Sequence, residues 1–442
     1  MTVDPMVACT VAAGAGFAGD RIGPAVALAA SGEVNAVVLE CLAERTLVPA
    51  LAARQANSEA GADPRLRRRL APLLPVAVPR RCRIVSNLGA ANPAAAGRAI
   101  AALAGELGCR GARVAAVEGD DVMALGEHIA WEGQVQGVLL GAHAYLGAEA
   151  LHDAVAQGAD VVVAGRVADS GLFAAALLPS LDGSDAALAG ALTVGHLLEC
   201  TGQLTGGNYQ PPDGPGLSAA ELARLAYPLA RVMRDGSAEI TILDGEPGIV
   251  DAMTCTLQLL YEVHDPAAYI TPDAIVDFSS VRFEEVGRNR VRMTGARHVG
   301  RPAHLKVAGF VEARGVIADV EIGFAGTGAQ ERAQRAADTL RLRLNDWHEE
   351  DIRVDLVGVN AMLGGASVPL AGSLPEVRVH VSARCADNEE AQAVEDEVYA
   401  LTLSGPSAGG GVRSERRRRI EVVSGLIRRE LVATRTIWTE AP

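Results

Sequence analysis

Over its first 175 residues the chain alternates short, β-branched apolar runs with Ala- and Leu-rich segments of helical period, and this alternation restricts the fold more than any other feature. The spacing predicts strands at 7–13, 34–40, 82–87, 112–117, 135–140 and 159–164. Helices are predicted between them at 24–31, 43–55, 93–107, 122–130 and 147–157, with Gly108, Gly111, Gly137 and Gly158 where helices should end. The strand segments are continuously apolar instead of alternating, so both of their faces must be covered. That requirement describes a parallel sheet packed between helices. The expectation is an α/β fold with a mostly parallel sheet of about six strands, and an open doubly wound sheet is preferred over part of a barrel.

The remainder is organised differently. A Pro- and Arg-rich helical insertion at about 61–81 carries Arg65, Arg67, Arg68 and Arg69, which read as a solvated helix face. A poorly periodic section at 176–300 contains a helix-like 219–230, a strand-like 239–243 and the glycine-rich run from Thr201 to Tyr209. From 303 onward, strands at 304–312 and 316–324 are expected to form a hairpin through Ala313-Arg314-Gly315. A helix at 328–345, strands at 352–359 and 375–383 and a helix at 387–400 follow, ahead of the charged segment Arg413 to Arg419. This order suggests a smaller α+β two-layer domain at 301–442 after an α/β substrate-binding and catalytic domain at 1–300.

Composition removes several classes of function. Aromatic residues make up 3% and the net charge is −14, so base stacking and binding to polyanions or acidic membranes lack the necessary groups. Seven scattered cysteines without zinc spacing, together with the absence of a signal peptide, point to a reducing cytoplasm. No run approaches the length of a transmembrane span. A small-molecule substrate and a homo-oligomer are expected.

After the first strand comes Gly14-Ala-Gly16-Phe-Ala-Gly19-Asp20, and Glu40 closes the second strand. The spacing is that of a dinucleotide-binding loop with a ribose-binding acid. The helix, however, is predicted to begin near Pro24, four or five residues later than such a loop requires. A loop binding another anionic or polar substrate through Gly16, Phe17, Asp20 and Arg21 stays open, as does a connection without any ligand.

Polar residues recur at the ends of the predicted strands, where parallel sheets bind ligands. They are Asp20, Glu40, Asn87 with Asn92, Glu118 with Asp120 and Asp121, His143, and Arg166 with Asp169. Each has a plain structural reading: Asn92, Asp120 and Asp121 as helix caps, His143 as a satisfied buried imidazole, and Arg166–Asp169 as an ion pair. Recurrence at six strand ends favours one shared crevice. In it Glu118, Asp120, His143, Arg166 and Asp169 are the candidate catalytic groups. Asn87, Asn92, Asp121, Glu40 and the 16–21 loop are candidates for substrate contact. The acids at 118–121 suit proton transfer, or a divalent metal ion held through carboxylate oxygens, and Arg166 suits a carboxylate, thioester oxygen or phosphate. No nucleophile elbow, P-loop, His-x-x-x-His helix or kinase signature is present.

Several long motifs then coincide. Gly14 to Arg21, Leu42-Ala-Glu-Arg-Thr46, Asn87-Leu-Gly-Ala-Ala-Asn-Pro93 and Glu118-Gly-Asp-Asp-Val122 are among them. So are His143-Ala-Tyr-Leu-Gly147, Gly165-Arg-Val-Ala-Asp169, Gly202-Gln-Leu-Thr-Gly-Gly207, Leu260-Tyr-Glu-Val-His-Asp265 and Ser404 to Arg413. Together they resemble the acyclic terpene utilization AtuA family over nearly the whole chain. The resemblance implies breakdown of citronellol- and geraniol-type terpenes as CoA thioesters beside a biotin-dependent acyl-CoA carboxylase, with relatives in secondary metabolism. Many members carry an additional C-terminal ferredoxin-like segment, which is not expected here. Resemblance and residues together lead to an enzyme acting on a branched acyl substrate by hydratase, dehydratase or lyase chemistry, with coenzyme A entering as part of the substrate. An NAD(P)-dependent oxidoreductase and a non-catalytic carboxylase subunit are the alternatives.

Overall fold

The computed structural model of the chain describes residues 6–348, 350–366 and 374–442, which divide into two compact units. One takes in the chain up to Gln134 together with Leu140–Phe310 and Val422–Pro442, and the other takes in Val135–Leu139 and Val311–Glu421. Among the described residues no helix is long and apolar enough to cross a membrane.

The larger unit begins with β1 (Val7–Ala15), α1 (Gly23–Ala30), β2 (Ala36–Leu39), α2 (Glu44–Ala56), α3 (Leu66–Ala77), β3 (Arg83–Ser86), α4 (Pro93–Glu106) and β4 (Arg113–Glu118). After β5 (Val138–Ala144) come α5 (Glu149–Ala156), β6 (Val161–Ala164), α6 (Asp169–Leu177) and α7 (Asp185–Leu198). Local signals account for many of the ends. Asn92 caps α4 by accepting the Ala95 N–H at 3.2 Å, with Pro93 at the first turn. Gly97 lets that helix lie on the sheet, since a Cβ there would stand 2.9 Å from the Cβ of Ala116.

Five strands run parallel in the spatial order β1-β2-β3-β6-β4. The expected strand at 135–140 forms, as β5, but takes no place among them. Antiparallel strands extend both edges. The chain's last strand, Arg435–Glu440, pairs with β4. On the other side β7 (Leu229–Met233) pairs with β1, followed by β8 (Ala238–Thr241) and then, past α8 (Ala252–Leu260), the hairpin of β9 (Arg282–Gly287) and β10 (Arg290–Thr294). The sheet is therefore large and mixed.

Its two faces carry separate cores. Ala12, Val37, Ile84 and Val163 pack with α1, α3 and α4, while Val11, Val38, Val85 and Val162 pack with α5, α6 and α7. The loops leaving β3 and β6 thus turn to opposite faces although those strands are neighbours. This is a switch point, where the carboxyl edge of a doubly wound sheet opens into a crevice.

Three predicted helical features differ from the structure. The helix expected at 219–230 is a single capped turn, Ala219–Leu222, followed by a turn and irregular chain up to Pro228, ahead of β7. The helix expected at 122–130 is a short 3-10 turn, Met123–His128. In α3 the arginines do not all face water: Arg69 is buried and donates to the carbonyls of Phe17 (3.2 Å) and Ala18 (2.7 Å).

The smaller unit contains the distal part of β11 (His304–Ala325), then α9 (Ala329–Arg343), β12 (Ile352–Val357), β13 (Glu376–Cys385), α10 (Asn388–Ser404) and the first part of β14 (Gly409–Arg428). The expected hairpin at 313–315 is absent because β11 runs straight through it. Gly315 takes φ +90° where a Cβ would lie 2.1 Å from the Cys385 carbonyl, so it serves close packing rather than a turn. The charged segment 413–419 is part of β14. The resulting βαββαβ order, with strands arranged β12-β13-β11-β14, is the ferredoxin-like arrangement, here placed inside the chain. Its core is Val320, Ile322, Phe324, Val379 and Val381 beneath both helices.

Candidate active site

The loop at 14–20 is folded around Asp20. Oδ2 of that residue accepts the Gly16 N–H and the Thr201 hydroxyl, each at 2.8 Å, and the Tyr227 hydroxyl donates to Oδ1. Gly16 lies against the turn after α7, where a Cβ would come within 2.4 Å of the Glu199 carbonyl. Gly14 leaves space for Val37 and Leu39, whose atoms a Cβ would meet at 2.5 and 2.6 Å. Phe17 and Arg21 project to the exterior. The glycines therefore serve close packing, and α1 starts at Gly23.

At the end of β2, Glu40 is buried. Its Oε1 accepts the Leu42 N–H at 2.9 Å and the Asn87 side-chain amide at 2.8 Å, while Asn87 Oδ1 accepts the Cys41 N–H at 2.7 Å. Burial, with the Asp169 charge adding to it, pushes the Glu40 carboxyl up to about 8 against the opposing pull of Arg166. Asp120 is equally enclosed: Oδ2 meets His143 Nδ1 and the Arg166 N–H at 2.8 Å each, and His143 Nε2 is buried without a hydrogen-bond partner.

The predicted residues do not all share one crevice. Glu118 pairs with Arg435 at 2.6 Å and Asp121 with Arg54 at 3.2 Å, both at a separate, open depression. The three acids at 118–121 thus have separate partners. Asn92 is spent on α4 and on the carbonyls of Ser58 and Ala60.

Arg166 and Asp169 line a different cavity of about 250 Å³ within the larger unit. Arg166 is buried, donates to the Leu42 carbonyl, pairs with Asp169 at 3.2 Å and stacks on the Tyr145 ring at 4.2 Å. Burial alone would lower its affinity for the proton, but Asp169, Tyr145, Glu40 and Glu44 around it more than reverse this. The Asp169 carboxyl is raised by burial, with Glu44 and Glu262 adding to the effect and Arg166 opposing it, while its side chain keeps 38% of its surface open. Lys306 Nζ lies 4.9 Å from the same Tyr145 ring, and the Tyr145 hydroxyl donates to Glu44. Two cations thus meet on one aromatic ring.

The same cavity is also lined by His196, Glu199, Glu262 and Tyr269. His196 Nδ1 is 2.8 Å from Glu199 Oε1, its Nε2 is 3.1 Å from the Leu259 carbonyl, and its ring stacks on Phe278 at a centroid distance of 5.7 Å and packs tilted against Tyr269 at 4.7 Å. Burial pushes the Glu199 carboxyl up to about 6, against the pull of His196. For His196 burial acts downward, but the Glu199 charge and the Leu259 carbonyl leave it above its ordinary value.

Sequence reasoning passed over Glu44, Tyr145, His196, Glu199, Glu262, Tyr269 and Lys306. Signals existed for several. Glu44, Tyr145 and Glu262 stand inside the family motifs, and His196-x-x-Glu199 ends a helix otherwise almost free of charge. Lys306 is the only lysine among 40 Lys and Arg residues, so wherever else the chain carries a basic side chain it uses arginine.

Fold and cavity define an α/β protein with a small, ionisable pocket at the carboxyl edge of a mixed, doubly wound sheet. The chain belongs to a particular group of such proteins: the model of the acyclic terpene utilisation family protein AtuA matches residues 9–438. No curated protein matches the chain. Among solved structures it is similar to a de novo designed protein, Ferredog-Diesel, at 21% identity over 23% of this chain and 86% of that one, with a TM-score of 0.16. A superposition of that quality carries no argument.

Proposed function

We propose that this member of the terpene-utilisation family is an enzyme acting on a branched acyl substrate, as a CoA thioester or the corresponding carboxylate, by acid/base hydratase, dehydratase or lyase chemistry. The observation that supports this reading best is the pairing of Arg166 and the lone lysine, Lys306, on the Tyr145 ring, in a cavity that Asp169, Glu199 and Glu262 also line. Two cations suit a carbonyl or carboxylate oxygen on which negative charge builds up, and the acids lining the same cavity suit proton transfer. Ala168, Leu305 and Ile270 supply an apolar margin for the chain of such a substrate. The volume accommodates the reacting end of the molecule rather than a whole coenzyme.

The dinucleotide reading has less support. The Gly16 amide already donates to Asp20, and Glu40 is enclosed by Asn87 and the Leu42 amide. A metal reading has no geometric support either, since among the described residues no group of three or more His, Cys, Asp or Glu side chains is arranged to hold an ion.

The test is incubation of the purified chain with branched acyl-CoA thioesters, following gain or loss of water, or chain cleavage, by mass spectrometry. Turnover by the wild type that falls about hundredfold in Lys306→Ala and only partly recovers in Lys306→Arg is the expected result. Absence of both binding and turnover across the panel overturns the proposal.

A further inference from the structure

We infer that Glu199 is the general base of this cavity, oriented by His196, and that the glycine loop at 14–20 is the brace that holds Glu199 in place. The inference rests on the acyl-substrate reading and gives its proton-transfer step a residue.

The geometry fixes the roles of the two side chains. The Leu259 carbonyl can only accept, so His196 Nε2 carries a hydrogen. The 2.8 Å contact between Nδ1 and Oε1 then holds one shared proton, because two lone pairs facing each other there would repel. The ring is pinned at both nitrogens, stacked on Phe278 and packed at a tilt against Tyr269. Glu199 Oε1 is thereby committed to the imidazole. Its Oε2 is buried, has no hydrogen-bond partner, and belongs to a residue lining the cavity. An orphaned acceptor of this kind is costly unless something occupies the space beside it.

The loop that resembles a nucleotide site acquires a purpose in this arrangement. Gly16 is the residue that tolerates the Glu199 carbonyl at 2.4 Å from where a Cβ would be. Two residues on, Thr201 sits at φ +45°, a conformation unfavourable for threonine, and its hydroxyl donates to Asp20 Oδ2, which also takes the Gly16 amide. Asp20 therefore ties the strained turn carrying Glu199 to the end of β1. Asp20 and Gly16 are positioning residues.

In the step assigned to it, Glu199 Oε2 takes a proton from the carbon α to the acyl carbonyl. The electron pair of that C–H bond moves to the carbonyl oxygen, where Arg166 and Lys306 offset the charge. In dehydration the pair returns to form the double bond, the β-hydroxyl leaves, and the proton on Glu199 goes with it as water. Besides His196, the groups whose charge or titration bears on the carboxylate are Asp169 from α6, Glu262 after α8, Tyr269 and the adjacent Cys200, and Arg166 and Lys306 line the same cavity.

The experiment follows deuterium uptake at the α-carbon of branched acyl-CoA thioesters in D₂O with the full-length chain, together with equilibrium binding of the same thioesters. Glu199→Gln should lower exchange about hundredfold or more while binding stays within about threefold. Asp20→Ala, which leaves no acceptor for the Gly16 N–H and the Thr201 hydroxyl, should lower kcat with KM unchanged, and Glu199→Asp should recover part of the exchange. Thermal melts identify any variant that fails to fold, and if Glu199→Gln does so, His196→Gln and Asp20→Ala decide the matter by the same split between kcat and KM. Exchange by Glu199→Gln within about threefold of wild type overturns the assignment and leaves the acyl-substrate reading standing. Wild-type turnover without any α-exchange has the same meaning. A wild type that neither binds nor converts any thioester overturns both.

Discussion

Replacing Asp120 by alanine tests whether its carboxylate is a structural hub. Oδ2 satisfies two buried donors at once, His143 Nδ1 and the Arg166 N–H, each at 2.8 Å. Gly165 makes room for it, since a Cβ there would stand 2.3 Å from Oδ2. Asp120 is 2% and His143 1% exposed, so water does not replace a lost partner. Alanine strands both donors, at about 1–3 kcal/mol apiece. His143 can move its hydrogen to Nε2, but that atom is also buried and unpartnered, so the deficit is relocated and not relieved. The expected loss is about 3–5 kcal/mol, in the range for breaking a buried polar pair. Asparagine can set its carbonyl oxygen at the Oδ2 position and still accept from both donors, and should cost only about 1 kcal/mol. Urea unfolding followed by tryptophan fluorescence measures this in a Trp347→Phe background, which leaves Trp131 and Trp438, both in the larger unit, as reporters. If Asp120→Ala unfolds within about 0.5 kcal/mol of wild type, or if asparagine costs as much as alanine, the hub reasoning is wrong.

Glu40 should impose a pH dependence of definite sign. Its folded carboxyl, pushed up to about 8 from an ordinary 4.5, holds a proton that the unfolded chain has already lost. Its contribution is fully present below the unfolded value and is lost as pH rises through the folded one, at a slope of up to about 1.4 kcal/mol per pH unit between the two. Glu40→Gln keeps an acceptor for Leu42 and Asn87 and has no proton to lose, so it should gain on wild type between about pH 5 and pH 8.5. Urea midpoints that differ by the same amount at both pH values would contradict this. Arg69→Met should cost about 2 kcal/mol and expose the 14–20 loop to protease, because it removes the donor to the Phe17 and Ala18 carbonyls. Arg68→Ala, one residue earlier and exposed, is the control and should leave both readouts unchanged.

The sequence by itself determined the local vocabulary of this protein. The apolar runs at β1, β2, β3, β4 and β6 and the start of α4 at Asn92-Pro93 were legible because side-chain period and capping act over a few residues. The delay of α1 to Gly23 was legible from Pro24 for the same reason. Recurring polar residues at strand ends located Arg166 and Asp169, which line the cavity. Tertiary structure alone decided that β6 inserts between β3 and β4, so that loops from adjacent strands part and open the crevice. It also separated Glu118 and Asp121 from Arg166 and brought His196 and Glu199, from a section with little visible periodicity, to the cavity that Arg166 lines. Those outcomes depend on contacts between residues far apart in the chain, such as Asp20 with Thr201 and Gly16 with Glu199, which no local pattern encodes. The glycine loop shows both halves: its sequence demanded close backbone packing, and only the fold revealed that the neighbour is a carboxylate-bearing turn.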